Sequence, residues 1–273
     1  MNRDAVLAAY DRQMRRNAAP EGPGARVEQV GGVVRQCGAN ADWSGWTGVL
    51  WSDLDEATAG PAIAAQISYF TAGGREFEWK LYAHDRPGDL AGRLQAAGFS
   101  PGDDETLMIA EASELSADAE LPRGVRLREV TDPADVRLVT DVHEKAFGTD
   151  DPQLRARLRT QLAECPGSLA AVVVMAGEEP VCAARLELPP ERSFAGLWGG
   201  GTVPGWRGRG LYRALVAYRV GVAVRRGYRY VQVDASSDSR PILQRLGFVP
   251  LSTTTPYTYR PRVRSFSGSA SCR

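Results

Sequence analysis

The chain has 273 residues, 24% of them charged and 43% from the apolar set, the profile of a globular protein with room for two domains of ordinary size. Its 33 basic side chains balance 33 acidic ones, so no global field draws it to nucleic acid or to a membrane surface. Four cysteines (Cys37, Cys165, Cys182, Cys272) are scattered, without a CxxC pair or a histidine at ligand spacing, so neither a bound metal nor a disulfide framework is expected. The N-terminus lacks the apolar core of a signal peptide, and no uncharged run approaches the ~20 residues of a membrane span. The nearest candidate, 214–224, is broken by Arg219. A soluble cytoplasmic protein with reduced thiols is the expectation.

In chain order, 3–17 reads as a helix, followed by a Trp-rich region (Trp43, Trp46, Trp51) with a strand-like stretch at 47–51. An apolar helix is predicted over 57–70, a strand over 77–82, and a helix over 89–97 ending at Gly98, a natural left-handed cap. The small, acidic, Pro-terminated segment around 113–122 reads as a linker between an N-terminal unit, 1–112, and a C-terminal unit, 123–262. The second unit opens with a strand at 125–130 and a helix introduced by Asp132-Pro133 that runs to Phe147. Another helix follows at 154–162, then strands at 169–175 and 181–188 joined by a Gly177 turn, and a glycine-rich strand at 194–203. A long helix at 211–226, a buried strand at 228–234, a short helix ending at Gly247 and a last strand at 257–259 complete it. The Ser-rich tail, 263–273, is expected to be disordered.

The two units echo each other. Asp85-Arg86-Pro87 leads into a helix ending Gly98-Phe99, and Ser239-Arg240-Pro241 leads into one ending Gly247-Phe248, about one domain length apart. Chance recurrence of an ordinary helix cap is one account. Duplication is favoured because strand, turn, helix, cap and proline recur in the same order.

The chemistry concentrates between 194 and 233, which contains no Asp or Glu but seven arginines. Its centre is Val203-Pro204-Gly205-Trp206-Arg207-Gly208-Arg209-Gly210-Leu211-Tyr212, placed between a strand and a helix N-terminus. Unpaired helix N–H groups, the positive end of the helix dipole, glycines that let the backbone close on a ligand, and flanking arginines together suit a phosphate or pyrophosphate. The spacing is neither that of a P-loop nor GxGxxG. It resembles the Q/R-x-x-G-x-G/A loop of the GNAT N-acetyltransferase superfamily. The element order over 123–262 and the downstream Leu246-Gly247-Phe248 extend the likeness.

The resemblance implies an α/β protein with a mixed sheet, built as two GNAT-like domains in tandem, of which the N-terminal one lacks the phosphate loop. It implies acetyl-CoA as acyl donor, with Thr202 and Val203 along the pantetheine arm, Arg207, Gly208, Arg209, Gly210, Leu211 and Tyr212 around the pyrophosphate, and Ser236 near the pantetheine. Gly199-Gly200-Gly201 suits a strand that splays at a bulge, although three glycines also suit a loop. The acceptor implied is a primary amine on a small molecule or a peptide. Nucleic acid and membrane partners are not expected, and a monomer or homodimer is.

The sequence also departs from the family pattern. The 194–203 strand carries no carboxylate to act as base, Leu243 stands where a tyrosine acid is usual, and Tyr212 replaces the closing Gly/Ala. Glu187 and Tyr257 are the substitutes selected, beside readings of Glu187 as an exposed strand residue and Tyr257 as packing. His143, Glu144, Tyr259 and His84 are further candidates. Acetyl transfer to an amine is the reading reached. A non-catalytic acyl-CoA sensor is its alternative, and an arginine-mediated nucleic-acid binder is disfavoured by the absence of aromatic interleaving.

Overall fold

The computed structural model describes residues 1–38, 45–118 and 120–261. Trp43 and the tail assigned to 263–273 lie outside them. Asn2 caps α1 (Arg3–Tyr10) by accepting from Ala5 N at 3.1 Å, and the helix continues as a π-helical stretch, Asp11–Arg16. A hairpin that sequence periodicity left uncalled follows, β1 (Ala25–Val30) and β2 (Val33–Gly38), turning at Gly31. Then come β3 (Gly48–Ser52), α2 (Ala59–Ala72), β4 (Phe77–Tyr82), α3 (Leu90–Ala96), the short β5 (Ser100–Pro101) and β6 (Glu105–Glu111).

The second half comprises β7 (Val125–Val130), α4 (Val136–Phe147), α5 (Pro152–Glu164), β8 (Leu169–Ala176), β9 (Glu179–Glu187) and β10 (Phe194–Thr202). It continues with α6 (Leu211–Arg225), β11 (Tyr230–Ala235), α7 (Arg240–Arg245) and β12 (Val249–Tyr259), which is much longer than the three residues read from the sequence. Asp151 caps α5, with Pro152 at its first position and Leu154 N donating to the Asp151 carboxylate at 2.9 Å. The internal echo is structural: α3 and α7 end alike, with Phe99 N bonded to Leu94 O and Phe248 N to Leu243 O, across Gly98 and Gly247 at φ 100° and 102°.

All twelve strands join one mixed sheet, ordered β1-β2-β3-β4-β12-β6-β11-β10-β9-β8-β7 with β5 attached to β12. The order at its centre is an exchange. β12, the last strand of the C-terminal half, pairs with β4 of the N-terminal half, while β6, the last strand of the N-terminal half, pairs with β11 of the C-terminal half. β6 and β12 then pair with each other. Leu107, Met108 and Ile109 of β6 are fully buried there, so the two halves share one continuous core rather than meeting at a polar interface.

One sheet face carries α6, under which Met108, Ala110, Leu197, Val231 and Val233 pack. On the opposite face α1 covers Tyr82, Leu107, Ile109, Phe194 and Tyr230. Strand alternation puts Glu78 and Lys80 of β4, Glu105 of β6, Gln232 and Asp234 of β11, Trp198 of β10, and Arg185 and Glu187 of β9 on this second face. Polar side chains on an interior sheet face are costly unless they serve a site.

Candidate active site

β10 and β11 run parallel and pair only over Phe194–Gly196 and Tyr230–Gln232, beyond which they part. A register shift between Trp198 and Gly201 in the β9–β10 ladder turns β10 away from its neighbour. The splay expected from Gly199-Gly200-Gly201 is therefore present. All three glycines are closely approached: a Cβ on Gly199, itself left-handed at φ 58°, would lie 2.5 Å from Arg185 Nη1, one on Gly200 2.8 Å from the Tyr212 ring, and one on Gly201 2.9 Å from the Phe147 ring.

The arginine-glycine loop sits at the mouth of this opening on the α6 face. Gly208 and Gly210 both adopt left-handed backbone, at φ 75° and 83°, and Gly210 caps α6 without any side chain. The first main-chain bond of the helix is Ala214 N to Gly210 O, so the N–H groups of Leu211, Tyr212 and Arg213 have no intrahelical acceptor. Val203 donates to Val181 O on β9, which by strand alternation turns the main-chain groups of Thr202 towards the opening. The Thr202 hydroxyl contacts Cys182 Sγ at 3.1 Å.

Two loop arginines differ in what they do. Arg207 donates Nε to Thr202 O at 3.2 Å and Nη2 to Ala146 O at 3.0 Å, tying the loop to the end of α4. Arg209 is exposed and stacks on Trp206, 4.5 Å from its centroid. Beneath the loop, Arg219 is 1% exposed and bonds only carbonyls, those of Leu215 and Arg185. Burial without a carboxylate lowers its guanidinium to about 10.

Tyr212 is the largest departure from the family loop. Its ring lies against Gly200 of β10, and its phenol is influenced by the Ser239 hydroxyl, beyond the end of β11. The side chain thus spans the opening between the two strands. Burial raises its phenol above the ordinary tyrosine value. Ser236 stands just behind it, Oγ to Ser239 Oγ at 3.2 Å, and lines the cavity on the other side of the sheet.

That cavity, of about 1690 Å³, occupies the α1 face between the two halves and reaches Gly196, Trp198, Gln232 and Ser236 at the opening. Its lining residues on β4, β6 and β11 are what sequence reasoning missed, because they come from strands far apart in the chain. Lys80 of β4 pairs with Asp234 of β11 and lies 5.3 Å from the Trp198 ring centroid. Burial pulls the Lys80 ammonium down, but Asp234, Tyr10 and Glu78 outweigh it and hold it above the ordinary lysine range. Burial raises the carboxyl of Glu78, and pushes Glu105 up to about 7. At the far end burial lowers Arg185 to about 10, with Arg157 adding like charge.

Of the substitutes picked from sequence, Glu187 faces this cavity rather than solvent. It accepts from Gln161 Nε2 at 2.7 Å and lies 3.5 Å from Arg185 Nε and 3.9 Å from Arg157 Nη1. Tyr257 belongs elsewhere. It is 6% exposed in the N-terminal core, paired with Trp79 across β12 and β4, and Tyr259 packs on Phe77 and Phe99 in the same core. An acid role is therefore not carried by Tyr257, whose place is set by the strand exchange.

His143 stacks on Phe147, 4.8 Å between centroids, and burial with Arg185 nearby lowers its imidazole. Glu144 lies in a separate shallow hollow with Asp141 and Lys145. His84 bonds Ser252 Oγ at 2.8 Å and Asp11 at 2.9 Å, beside the Arg15–Asp85 ion pair of 2.6 Å, a network that pins α1 to the sheet. Leu243 is fully buried. Among the described residues no cluster of three or more His, Cys, Asp or Glu is placed to hold a metal, and no helix is long and apolar enough to cross a membrane.

Comparison with solved structures identifies the architecture. A GCN5-related N-acetyltransferase from Kribbella flavida superposes with a TM-score of 0.69 at 19% identity, covering 95% of this chain and 96% of that one. A functionally unknown conserved protein from Staphylococcus epidermidis gives 0.65 at 12% identity over 90% and 96% of the two chains. A tandem GNAT protein from the clavulanic acid biosynthesis pathway gives 0.59 at 14% identity over 88% and 84%. No protein-family model and no curated protein sequence matches the chain. The fold is that of the GCN5-related N-acetyltransferases, with two GNAT-like halves in tandem.

Proposed function

We propose that this chain transfers the acyl group of acetyl-CoA to an amine. The observation that carries this reading is the opening between β10 and β11, which meets an anion-suited helix N-terminus on one face of the sheet and a large polar cavity on the other. A donor bound through the α6 amides, Gly208, Arg209 and Gly210, with its arm along Thr202 and Val203, would bring its thioester to the opening near Ser236. An acceptor would approach through the cavity. Arg207 supports the loop by its bonds to Thr202 and Ala146, and its role is to shape the site.

The glycine turn and the free α6 amides support the pyrophosphate end of this reading, while along the arm the Tyr212 ring has to move aside. That ring, with the absence of a carboxylate on β10, favours a second reading, an acyl-CoA-binding protein that does not turn over. Thermal unfolding with acetyl-CoA, ATP and NAD tests both. Ligand that binds only the native state adds about 2.7 kcal/mol at a hundredfold excess over Kd. Stabilisation by acetyl-CoA alone with free-thiol release on adding amines supports transfer. Stabilisation without release across amines supports the second reading, and stabilisation by ATP but not acetyl-CoA defeats both.

A further inference from the structure

Among the carboxylates that line the cavity, Glu105 is set apart by position. The β6–β11 ladder ends at the pair Thr106–Ala235, and the residue next to it on each chain segment, Glu105 and Ser236, lines the cavity. Its neighbours are engaged: Glu78 accepts from Trp46 Nε1 at 3.1 Å, Asp104 from the Thr255 hydroxyl at 2.5 Å, and Asp234 is held by Lys80. Among the described residues the Glu105 carboxylate has neither a hydrogen bond nor an ion pair. A second polar group lines the cavity further along the ladder, where Gln232 pairs with Ile109, four residues from Glu105. Gln232, 3% exposed and lining the cavity, has a side-chain oxygen with no donor. A buried acceptor left unpaired suits a ligand N–H.

We propose that Glu105, supplied by the exchanged strand of the N-terminal half, is the base that takes a proton from the acceptor ammonium at the C-terminal half's opening. The assignment rests on the acyl-transfer reading above. The ammonium gives one proton to Glu105. The neutral amine then attacks the thioester carbon, a C–N bond forms, the C–S bond breaks, and the proton left on nitrogen passes to the departing thiolate. Glu105 returns its proton to solvent. Lys80 and Glu78 on β4, Asp234 on β11 and the adjoining Asp103 and Asp104 face it, and burial outweighs Lys80 in raising its carboxyl to about 7, a basicity matched to neutral pH.

The test compares Glu105→Gln with the full-length wild type using two small nucleophiles, n-butylamine, which is an ammonium near pH 7, and hydroxylamine, which is largely neutral there. Free thiol release from acetyl-CoA is the readout, with acetyl-CoA binding followed by calorimetry. The expected result is that the butylamine-to-hydroxylamine rate ratio falls by ~100-fold or more in the variant. The wild-type butylamine rate should rise through a limb near pH 7 that the variant lacks. An unchanged ratio, or an unchanged limb, overturns the assignment. Acetyl-CoA binding with no wild-type turnover of either nucleophile also overturns it and leaves the donor site standing. Absence of acetyl-CoA binding sinks the acyl-transfer reading itself. Glu105→Asp, which keeps the carboxylate on a shorter arm, should recover part of the ratio, and failure to do so would mark Glu105 as a packing residue.

Discussion

Lys80 on β4 and Asp234 on β11 form an ion pair across two intervening strands, β12 and β6. Each residue belongs to a different half of the chain, so the pair exists only because the halves exchange their last strands. The Asp234 side chain is fully buried; Lys80 holds its Oδ2, and its Oδ1 has no hydrogen-bond partner among the described residues.

Removing one partner of such a pair strands the other charge in a low-dielectric wall. Lys80→Met should therefore lose ~3–5 kcal/mol in chemical denaturation. Adding Asp234→Asn to the same chain should return most of that loss, because the uncompensated carboxylate is then gone. A single-variant loss below ~1 kcal/mol, the range of surface pairs, would mean the two groups are not coupled.

Glu105 gives a pH signature of stability with a definite sign. Its native carboxyl is raised by burial from the ordinary glutamate range to about 7, so the folded state binds the proton more tightly than the unfolded chain. Between those values stability falls as pH rises, the reverse of a salt-bridged carboxylate. Glu105→Gln cannot ionise. Its Tm relative to wild type should be level near pH 4, rise through the interval, and stay positive above 7; a difference that shrinks as pH rises contradicts the burial argument.

Tyr212 spans the opening from Gly200 to Ser239. If the donor arm must displace it, the binding-competent population is a fraction of the whole, and apparent affinity is reduced by that fraction. Tyr212→Ala should bind acetyl-CoA about tenfold more tightly, ~1.4 kcal/mol by calorimetry. Weaker binding in a folded variant would make the ring a wall of the donor site instead of an obstacle.

The loop should depend more on backbone shape than on charge. Gly210 holds φ 83° with nothing within 4 Å of an added Cβ, so Gly210→Val meets no clash and pays only for left-handed backbone, ~1–2 kcal/mol. That strain falls on the turn that presents the α6 amides. A loss of about tenfold or more in acetyl-CoA affinity is expected, against less than about threefold for Arg209→Ala, whose exposed charge is screened at ~0.15 M salt. Equal losses would identify a basic patch.

What the sequence made legible follows from where the signals are local. The splay was readable from Gly199-Gly200-Gly201 and the glycine-capped helix start from the Arg-Gly turn before α6, because both are properties of a few adjacent residues. The tandem architecture was readable from the repeated helix cap. Strand partnership was not. β6 and β12 follow equivalent helices, and nothing in the composition of either says which half it joins. Tyr257 was consequently assigned to the site although it packs on the N-terminal core, while Lys80 and Glu105 were passed over as members of a unit without a phosphate loop. Alternation of Glu78, Lys80 and Tyr82 along one strand was the available clue, since charges at every second position of an interior strand need a purpose.

The exchange makes a prediction about dissection of the chain. A fragment of residues 120–261 begins after β6, and so loses the strand that lies between β11 and β12. Leu107, Met108 and Ile109, all at 0% exposure, leave with it. At ~1.5–3 kcal/mol for each buried side chain, that is on the order of 5–9 kcal/mol, comparable with the whole stability of an ordinary domain. Two open strand edges are created at the same time, an invitation to aggregate. A fragment of residues 102–261 keeps β6 and exposes only the edge of β12 that faces β4. The longer fragment should melt cooperatively and bind acetyl-CoA, while the shorter one should be aggregated or molten and should not. Because β4 is missing from both, neither fragment retains Lys80, and amine turnover by the longer one should fall well below that of the intact chain. A cooperative melt of 120–261 at the Tm of 102–261 would show that β6 adds no stability to the C-terminal half, and the shared core described above would have to be redrawn.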